Sequence, residues 1–292
     1  MIAPVRTAIT IALLGAALAY AAEPTNTVLR LAGRPVLEYR HGAGLIKPYA
    51  AQMFTPAGVA VLRDSPHDHV HHHGLMFALA VDGVNFWEEV NGCGRQIEVA
   101  FTADGDRLQQ QLAWTDPAGT VRLRETRSVR LEPVEGLTLA TWSSGLSAPT
   151  NSAKTVLSGS HYYGLGARFI ATMDHGSEFI FPAGAGGAGV RGTETLTPAA
   201  WAAITGNAGG KPVTMALFNA GENAIPRPPM FSMTAPFAYL SSTLNLWKTP
   251  MELPPGGALL LTYGVAVWDG RHPASDIEKA FQEWSARRIA PE

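Results

Sequence analysis

The stretch Leu108-Gln109-Gln110-Gln111-Leu112-Ala113-Trp114 decides the fold class. Leu108, Leu112 and Trp114 all fall on even positions, the period of two that puts one side-chain set on one face of a strand. Asp116-Pro117-Ala118-Gly119 follows as a turn, with Pro and Gly at favoured places. Beyond it Val121, Leu123, Val129 and Leu131 share one face, and Arg122, Arg124 and Arg130 the other. Val134-Glu135-Gly136 then turns the chain into Leu137-Thr138-Leu139-Ala140-Thr141-Trp142. This is an antiparallel meander with one face in and one face out. The pattern recurs at 213–218, 238–244 and 259–267, with a turn signal every ten or so residues. The expected fold is therefore all-β, a large antiparallel β-sandwich.

One helix is expected at the C-terminal end. Ser275-Asp276-Ile277-Glu278 reads as a capping box, and Ile277, Ala280, Phe281 and Trp284 follow at helical spacing. Arg287 and Arg288 suit the dipole of its last turn. The pattern predicts a lid on the end of the sandwich. A weaker helical pattern covers 198–204. The Gly-rich run 182–192 lacks the Lys-Ser or Lys-Thr and the following helix of a phosphate cradle, and reads as a long loop.

Composition bounds the function. Of 292 residues only 16% are charged, and the net charge is −2, which gives no footprint for nucleic acid or an anionic membrane surface. Gly 30 and Pro 21 are enough to punctuate many strands and too few to signal disorder. Residues 1–21 read as a secretory signal: Arg6, an apolar run over 9–18, and Ala19-Tyr20-Ala21 as cleavage site near Ala21. The expectation is a periplasmic or secreted protein with one sandwich domain over 22–292. No later segment has about 18 uninterrupted apolar residues, so no membrane association is expected after cleavage. Cys93 is the single cysteine, so no internal disulfide is available.

Ser65-Pro66-His67-Asp68-His69-Val70-His71-His72-His73-Gly74 holds five of the nine histidines. An apolar strand follows at 75–81. If the histidines lead into it in extended form, His67, His69, His71 and His73 point one way, and Asp68 and His72 the other. Imidazoles at i and i+2, roughly 7 Å apart, can share a metal, and Asp68 can complete the shell. Histidine is also the usual general acid or base near neutral pH. Asp82-Gly83 is a hairpin signal that would return Asn85-Phe86-Trp87-Glu88-Glu89 beside the histidines. The bland alternative is a solvated His-rich loop. Farther along, His161-Tyr162-Tyr163-Gly164-Leu165-Gly166-Ala167-Arg168 mixes aromatics with a cation that could clamp a carboxylate or a pair of hydroxyls. Its alternative is an aromatic strand with a bulge. His175 or Glu178 could add an acid or base. Asn223 and Arg227 sit in a polar, Pro-containing loop.

The set Lys47-Pro48-Tyr49, Asp68-His69-Val70-His71-His72-His73-Gly74, Val84-Asn85-Phe86-Trp87-Glu88-Glu89, Tyr163-Gly164-Leu165-Gly166-Ala167-Arg168-Phe169, and Asn223 with Arg227-Pro228 resembles a secreted bacterial family labelled "methane oxygenase PmoA". His73 stands where that pattern commonly has Arg, and Val70 where it commonly has Pro. The β-rich pattern, with Leu253-Pro254-Pro255-Gly256-Gly257 before a last long strand, is also similar to galactose-mutarotase-like sandwiches.

The leading expectation is an exported sugar-active enzyme of epimerase, lyase or hydrolase type. His69, His71, His72, Glu89, His161 and Glu178 are the candidate acids and bases. Lys47, Arg168, Asn223 and Arg227 would hold hydroxyls or a carboxylate, with Trp87 and Tyr163 stacking on a ring. A divalent metal (Zn, Cu or Ca) on His69, His71 and Asp68 stays an open alternative. The rival functions are a non-catalytic carbohydrate-binding module and a periplasmic metal or copper protein.

Overall fold

The computed structural model describes residues 23–223 and 228–289. The signal and its cleavage site, and Arg227, lie outside the described residues. Alternation builds two large antiparallel sheets. One runs, in spatial order, Thr25–Leu31, Arg34–His41, Tyr49–Met53, Leu75–Ala78, Gly164–Arg168, Tyr239–Thr243, Pro229–Met233, Thr195–Pro198 and Ala188–Gly189. The other runs Glu178–Ile180, Trp201–Ala208, Lys211–Asn219, Ala258–Asp269, Thr138–Ser147, Val121–Glu132, Arg107–Thr115 and Arg95–Asp104. The meander read from the sequence is the last half of this second sheet, with Trp114 opposite Leu123 and Trp142 opposite Val129. A small sheet of Met251–Leu253, Thr155–Ser158, Ala80–Val81 and Val84–Asn85 sits beside them. The β-sandwich expected from the alternation is the fold observed.

Apolar side chains from the facing surfaces of the two large sheets form the main core, with Leu37, Phe77, Leu165 and Leu240 meeting Trp114, Trp142, Leu217 and Val265. That core also contains ions. Arg127 is fully buried, and its guanidinium donates to Glu125 (2.8 and 2.9 Å), Tyr39 Oη (3.1 Å), the Pro48 carbonyl (3.0 Å) and Gln96 Oε1 (3.0 Å). Trp114 Nε1 and Ser144 Oγ donate to the same Glu125 carboxylate, at 3.0 and 2.7 Å. A buried guanidinium is tolerated when its donors find acceptors, and here they do. The Tyr39 and Pro48 contacts tie the nine-stranded sheet and the segment before its third strand to the eight-stranded one.

The segment 198–204 is not helix: Pro198 ends one strand and Trp201 begins the next. Trp201 and Ala203 face one core cluster while Ala202 and Ile204 face the other. A short apolar run buried on both faces has no period by which to tell it from a helix. The C-terminal helix forms over Ala274–Ile289. Its capping box does not: the Pro273 carbonyl accepts from Asp276 and Ile277, and Glu278 accepts from Trp201 Nε1 at 2.6 Å. Nor does it cover the end of the sandwich. Ile277, Ala280 and Trp284 pack with Leu139, Trp201, Phe218 and Trp268 on the outer face of the eight-stranded sheet. Gly264 permits this, because a Cβ there would stand 2.7 Å from the Phe218 ring and 2.9 Å from the Trp284 ring.

Candidate functional site

The histidine run does not continue the strand that follows it. Ser65-Pro66 starts a turn, and the His69 N–H donates to the Pro66 carbonyl (3.0 Å) and the His72 N–H to the His69 carbonyl (2.9 Å). An antiparallel bridge between Asp64 and His73 closes the loop. Gly74 then joins it to Leu75–Ala78 at φ 34°, where a Cβ would meet the Ala50 carbonyl at 2.2 Å. Strand alternation therefore fails over 67–73. Two successive four-residue turns, 66–69 and 69–72, bring His69, His71 and His72 into one cluster and send His73 elsewhere. The ring centroids lie 4.8 Å apart for His69 and His72, 4.6 Å for His71 and His72, and 5.8 Å for His69 and His71.

These three line a cavity of about 490 Å³. Glu88, Tyr162, Arg191, Thr193 and Glu194 supply the rest of its polar lining, and Phe231, Met233, Phe237 and Tyr239 its apolar part. The cavity lies on the outer face of the nine-stranded sheet. The inward residues of the same strands identify the faces, since Ser242 and Met230 meet Asn219 of the opposite sheet. Glu194 is held at two points: His161 Nε2 donates to it at 2.9 Å, and Arg191 Nε reaches both oxygens at 2.9 Å.

Burial, then the neighbouring Lys47 and His69, lowers the His71 pKa to about 4. Burial, then the other two histidines and Arg168, lowers that of His72 to about 2. Both are neutral imidazoles at ordinary pH, and a neutral imidazole offers one hydrogen-bond acceptor and one N–H donor. His69 Nδ1 and His72 Nδ1 are buried with no hydrogen-bond partner, as is Tyr239 Oη. Asp68 stands 3.2 Å from His69 Nδ1, out of line for a hydrogen bond.

His73 and Glu89 belong to a different network. His73 Nδ1 donates to Asp64 (2.7 Å) and Nε2 to Glu89 (2.9 Å). Lys47 Nζ donates to Glu89 (2.9 Å) and to the Trp87 carbonyl (2.8 Å). Burial works against the His73 charge, but the two carboxylates outweigh it and raise its pKa. Burial would raise Glu89; the His73 hydrogen bond and the Lys47 charge lower it to about 2 instead. These ions run beneath the histidine loop and hold it.

The other expected site residues divide. The Asp82-Gly83 hairpin forms, and Asn85 Oδ1 caps the N–H groups of Trp87 and Glu88 (2.8 and 3.1 Å). It delivers Glu88 to the cavity and turns Glu89 to Lys47. Trp87 and Tyr163 are not presented to a ligand. They are buried and stack on each other at 4.9 Å, because Trp87 fills the core beside Gly166. Lys47 is wholly buried as an ion-pair partner. Asn223 brackets the backbone of Thr262 (2.9 and 2.7 Å) and contributes nothing to the cavity. Glu178 opens the edge strand of the other large sheet, and His175 is exposed before it. His161 sits behind the lining as the donor to Glu194. Arg168 lies beneath Phe237, its guanidinium carbon 3.5 Å from the ring centre. Among the described residues no group of three or more His, Cys, Asp or Glu is disposed to hold a metal ion, so Asp68, His69 and His71 are not gathered as a ligand set. Glu88, Tyr162, Arg191, Glu194, Phe237 and Tyr239 escaped the sequence reading. Only Glu88 and Tyr162, inside quoted motifs, had a signal that could have found them.

Among the described residues no helix is long and apolar enough to cross a membrane. No curated protein matches the chain in sequence. In structure it is similar to a galactose mutarotase related enzyme from Lactobacillus acidophilus, with TM-score 0.46 and 8% identity over 86% of this chain and 99% of that one. It is similar at TM-score 0.36 and 11% identity to a GH36 alpha-galactosidase from Geobacillus stearothermophilus in complex with raffinose, over 87% of this chain and 34% of that one. A TPR-domain containing protein from Parabacteroides distasonis is similar at TM-score 0.38 and 9% identity, over 87% and 54%. None of these matches carries the PmoA label. A family model covers residues 26–282, and the chain belongs to that family, DUF6807, described as a family of unknown function.

Proposed function

We propose that the cavity is the active site of an exported sugar-active enzyme in which His71 and His72 share acid–base work with Glu194. One observation supports this above the others: His71 and His72, held unprotonated, line the same cavity as Glu194, a carboxylate fixed by two donors. Acid–base work on a polyhydroxylated carbon pairs a proton acceptor with a hydrogen-bonding group of different charge; here the Glu194 carboxylate is the base, and the neutral imidazoles face it with an N–H donor and a weakly basic nitrogen. The aromatic faces of Tyr162, Phe231 and Tyr239 suit the C–H faces of a sugar, and the volume is that of a small-molecule site. Epimerase, lyase and hydrolase chemistry all use such a pair. No step is routed through a metal, because the expected ligand set is not gathered.

The test is proton NMR in D₂O with a panel of aldoses, uronic acids and glycosides. An epimerase exchanges a carbon-bound proton, a lyase makes an alkene, and a hydrolase releases a reducing end. With the responding sugar in hand, His71→Ala and His72→Ala should each slow turnover by about 10²-fold or more. Full turnover by both variants overturns the histidine role. Saturable binding without turnover would leave a carbohydrate-binding module.

A further inference from the structure

Arg168 is 1% exposed, yet two of its three nitrogens make no hydrogen bond. Of its three nitrogens only Nη2 has partners, Asp174 at 3.5 Å and Asp68 at 3.6 Å, both long. Nε and Nη1 are buried with no acceptor among the described residues. That contrasts with Arg127, whose guanidinium makes five short bonds in the same molecule. A buried cation with unanswered donors is costly and calls for a water or a ligand to answer them.

The place of Arg168 says which ligand. It ends the strand Gly164–Arg168 directly opposite Tyr239, on the face that bears the cavity. The Phe237 ring covers it, with the guanidinium carbon 3.5 Å from the ring centre, and also lines the cavity. His69 and His72 touch the same ring edge-on, at 4.7 and 5.5 Å between centroids. Phe237 is thus a single side chain between the cavity and an unsatisfied guanidinium. A rotamer change there, of the kind binding commonly induces, exposes the guanidinium to the ligand.

We propose that the substrate of the cavity is a sugar carrying a carboxylate, of the uronic or aldonic acid class, and that Arg168 is its anchor once Phe237 swings aside. This rests on the sugar-active reading and adds the charge of the substrate to it. A planar carboxylate is the natural partner of a guanidinium fork with donors free, and the neutral His72 imidazole beside it brings no competing positive charge.

The experiment is isothermal titration of the wild-type protein with glucuronate, galacturonate, glucose, galactose and glucose 6-phosphate. Each uronate should bind at least about tenfold tighter than the hexose of the same configuration, as a charge-assisted hydrogen bond implies. Arg168→Met should bring that ratio close to one, and Arg168→Lys should restore part of it. Phe237→Ala removes the cap and should not lower the ratio. The wild-type ratio decides the substrate class even if a variant fails to fold, and an unchanged ratio in folded Arg168→Met overturns the Arg168 anchor. Equal affinity for hexoses and uronates overturns the carboxylate assignment and leaves the sugar reading standing. Tighter binding of glucose 6-phosphate than of glucuronate also overturns it. No saturable binding by any of the five overturns both.

Discussion

Lowering the pH from 8 to 5 should destabilise this protein through two identified side chains. His71 and His72 have folded pKa values of about 4 and about 2, against 6.5 when unfolded. Above pH 6.5 both are neutral in either state and contribute nothing. As pH falls below 6.5 the unfolded chain takes up protons that the folded cavity refuses, so stability is lost on the acid side. At pH 5 the deficit is one and a half pH units per histidine, about 2 kcal/mol each and about 4 kcal/mol for the pair. That is an upper figure, because His71 keeps some contact with water. For a domain of this size it lowers the melting temperature by roughly 8–16 °C. His73 acts in the opposite sense. Its raised pKa gives stability that is complete below pH 6.5 and is lost as pH rises through its folded value. Glu89 stays out of the window, since its contribution is lost only as pH falls from about 4.5 toward 2. Thermal melts of wild type and His72→Asn at pH 8, 7, 6 and 5 isolate the term, because the other groups cancel in the difference. The variant should lose about half of the acid-side drop. If it melts with the wild-type pH slope, or if imidazole Cε1 proton shifts show all of the cluster protonating between pH 6 and 7, the neutral-histidine account is wrong.

Other perturbations separate the two faces of the molecule. Trp284→Ala removes a buried ring that also donates to Thr141 Oγ1 at 2.9 Å, and urea unfolding should show a loss of about 3–5 kcal/mol. Arg127→Met leaves Glu125 buried without its cation and should cost about 3–5 kcal/mol, whereas adding Glu125→Leu should recover part of it in the same assay. Glu194→Gln keeps the shape and removes the charge. It should slow turnover by about 10²-fold on whatever sugar the deuterium screen identifies while leaving the melting temperature nearly unchanged.

Legibility in the sequence followed the physics of each element. The meander was readable because Leu108, Leu112, Trp114, Leu123 and Val129 alternate on a sheet buried on the facing side. Residues 201–204 were not, because burial on both faces erases the period. The importance of the histidine run was visible in its density, but its geometry was not. Ser65-Pro66 and Gly74 turn it, and a turn places residues three apart together where a strand places those two apart. Glu194 could not be seen at all, since it depends on a loop folding back to His161, 33 positions earlier in the chain. Trp87 and Tyr163 misled for a general reason: composition marks an aromatic as valuable and does not say whether the core or a ligand uses it.

The distribution of unmet polar groups argues for the outer face more strongly than any one residue does. Between the sheets Arg127, Glu125, Gln96 and Gln110 are all paired, and Tyr263 Oη is the exception. Under the loops of the nine-stranded sheet, His69, His72, Trp87, Arg168 and Tyr239 all hold buried polar atoms without partners. Adjacent to them lie the Gly74 corner, which has no room for a Cβ, and two histidines deprived of their charge. A chain that can satisfy five donors of a fully buried arginine on one side of a sheet has the means to do so on the other. Leaving them open there, around a cavity of sugar size, is the pattern expected when local stability yields to a ligand that supplies the missing acceptors. A ligand bound there has a definite consequence. It should protect the 66–73 loop and the residues around Phe237 from hydrogen exchange more than it protects the Arg127 core. Equal protection everywhere would mean that the open donors are answered by water and that the cavity is not where the ligand sits.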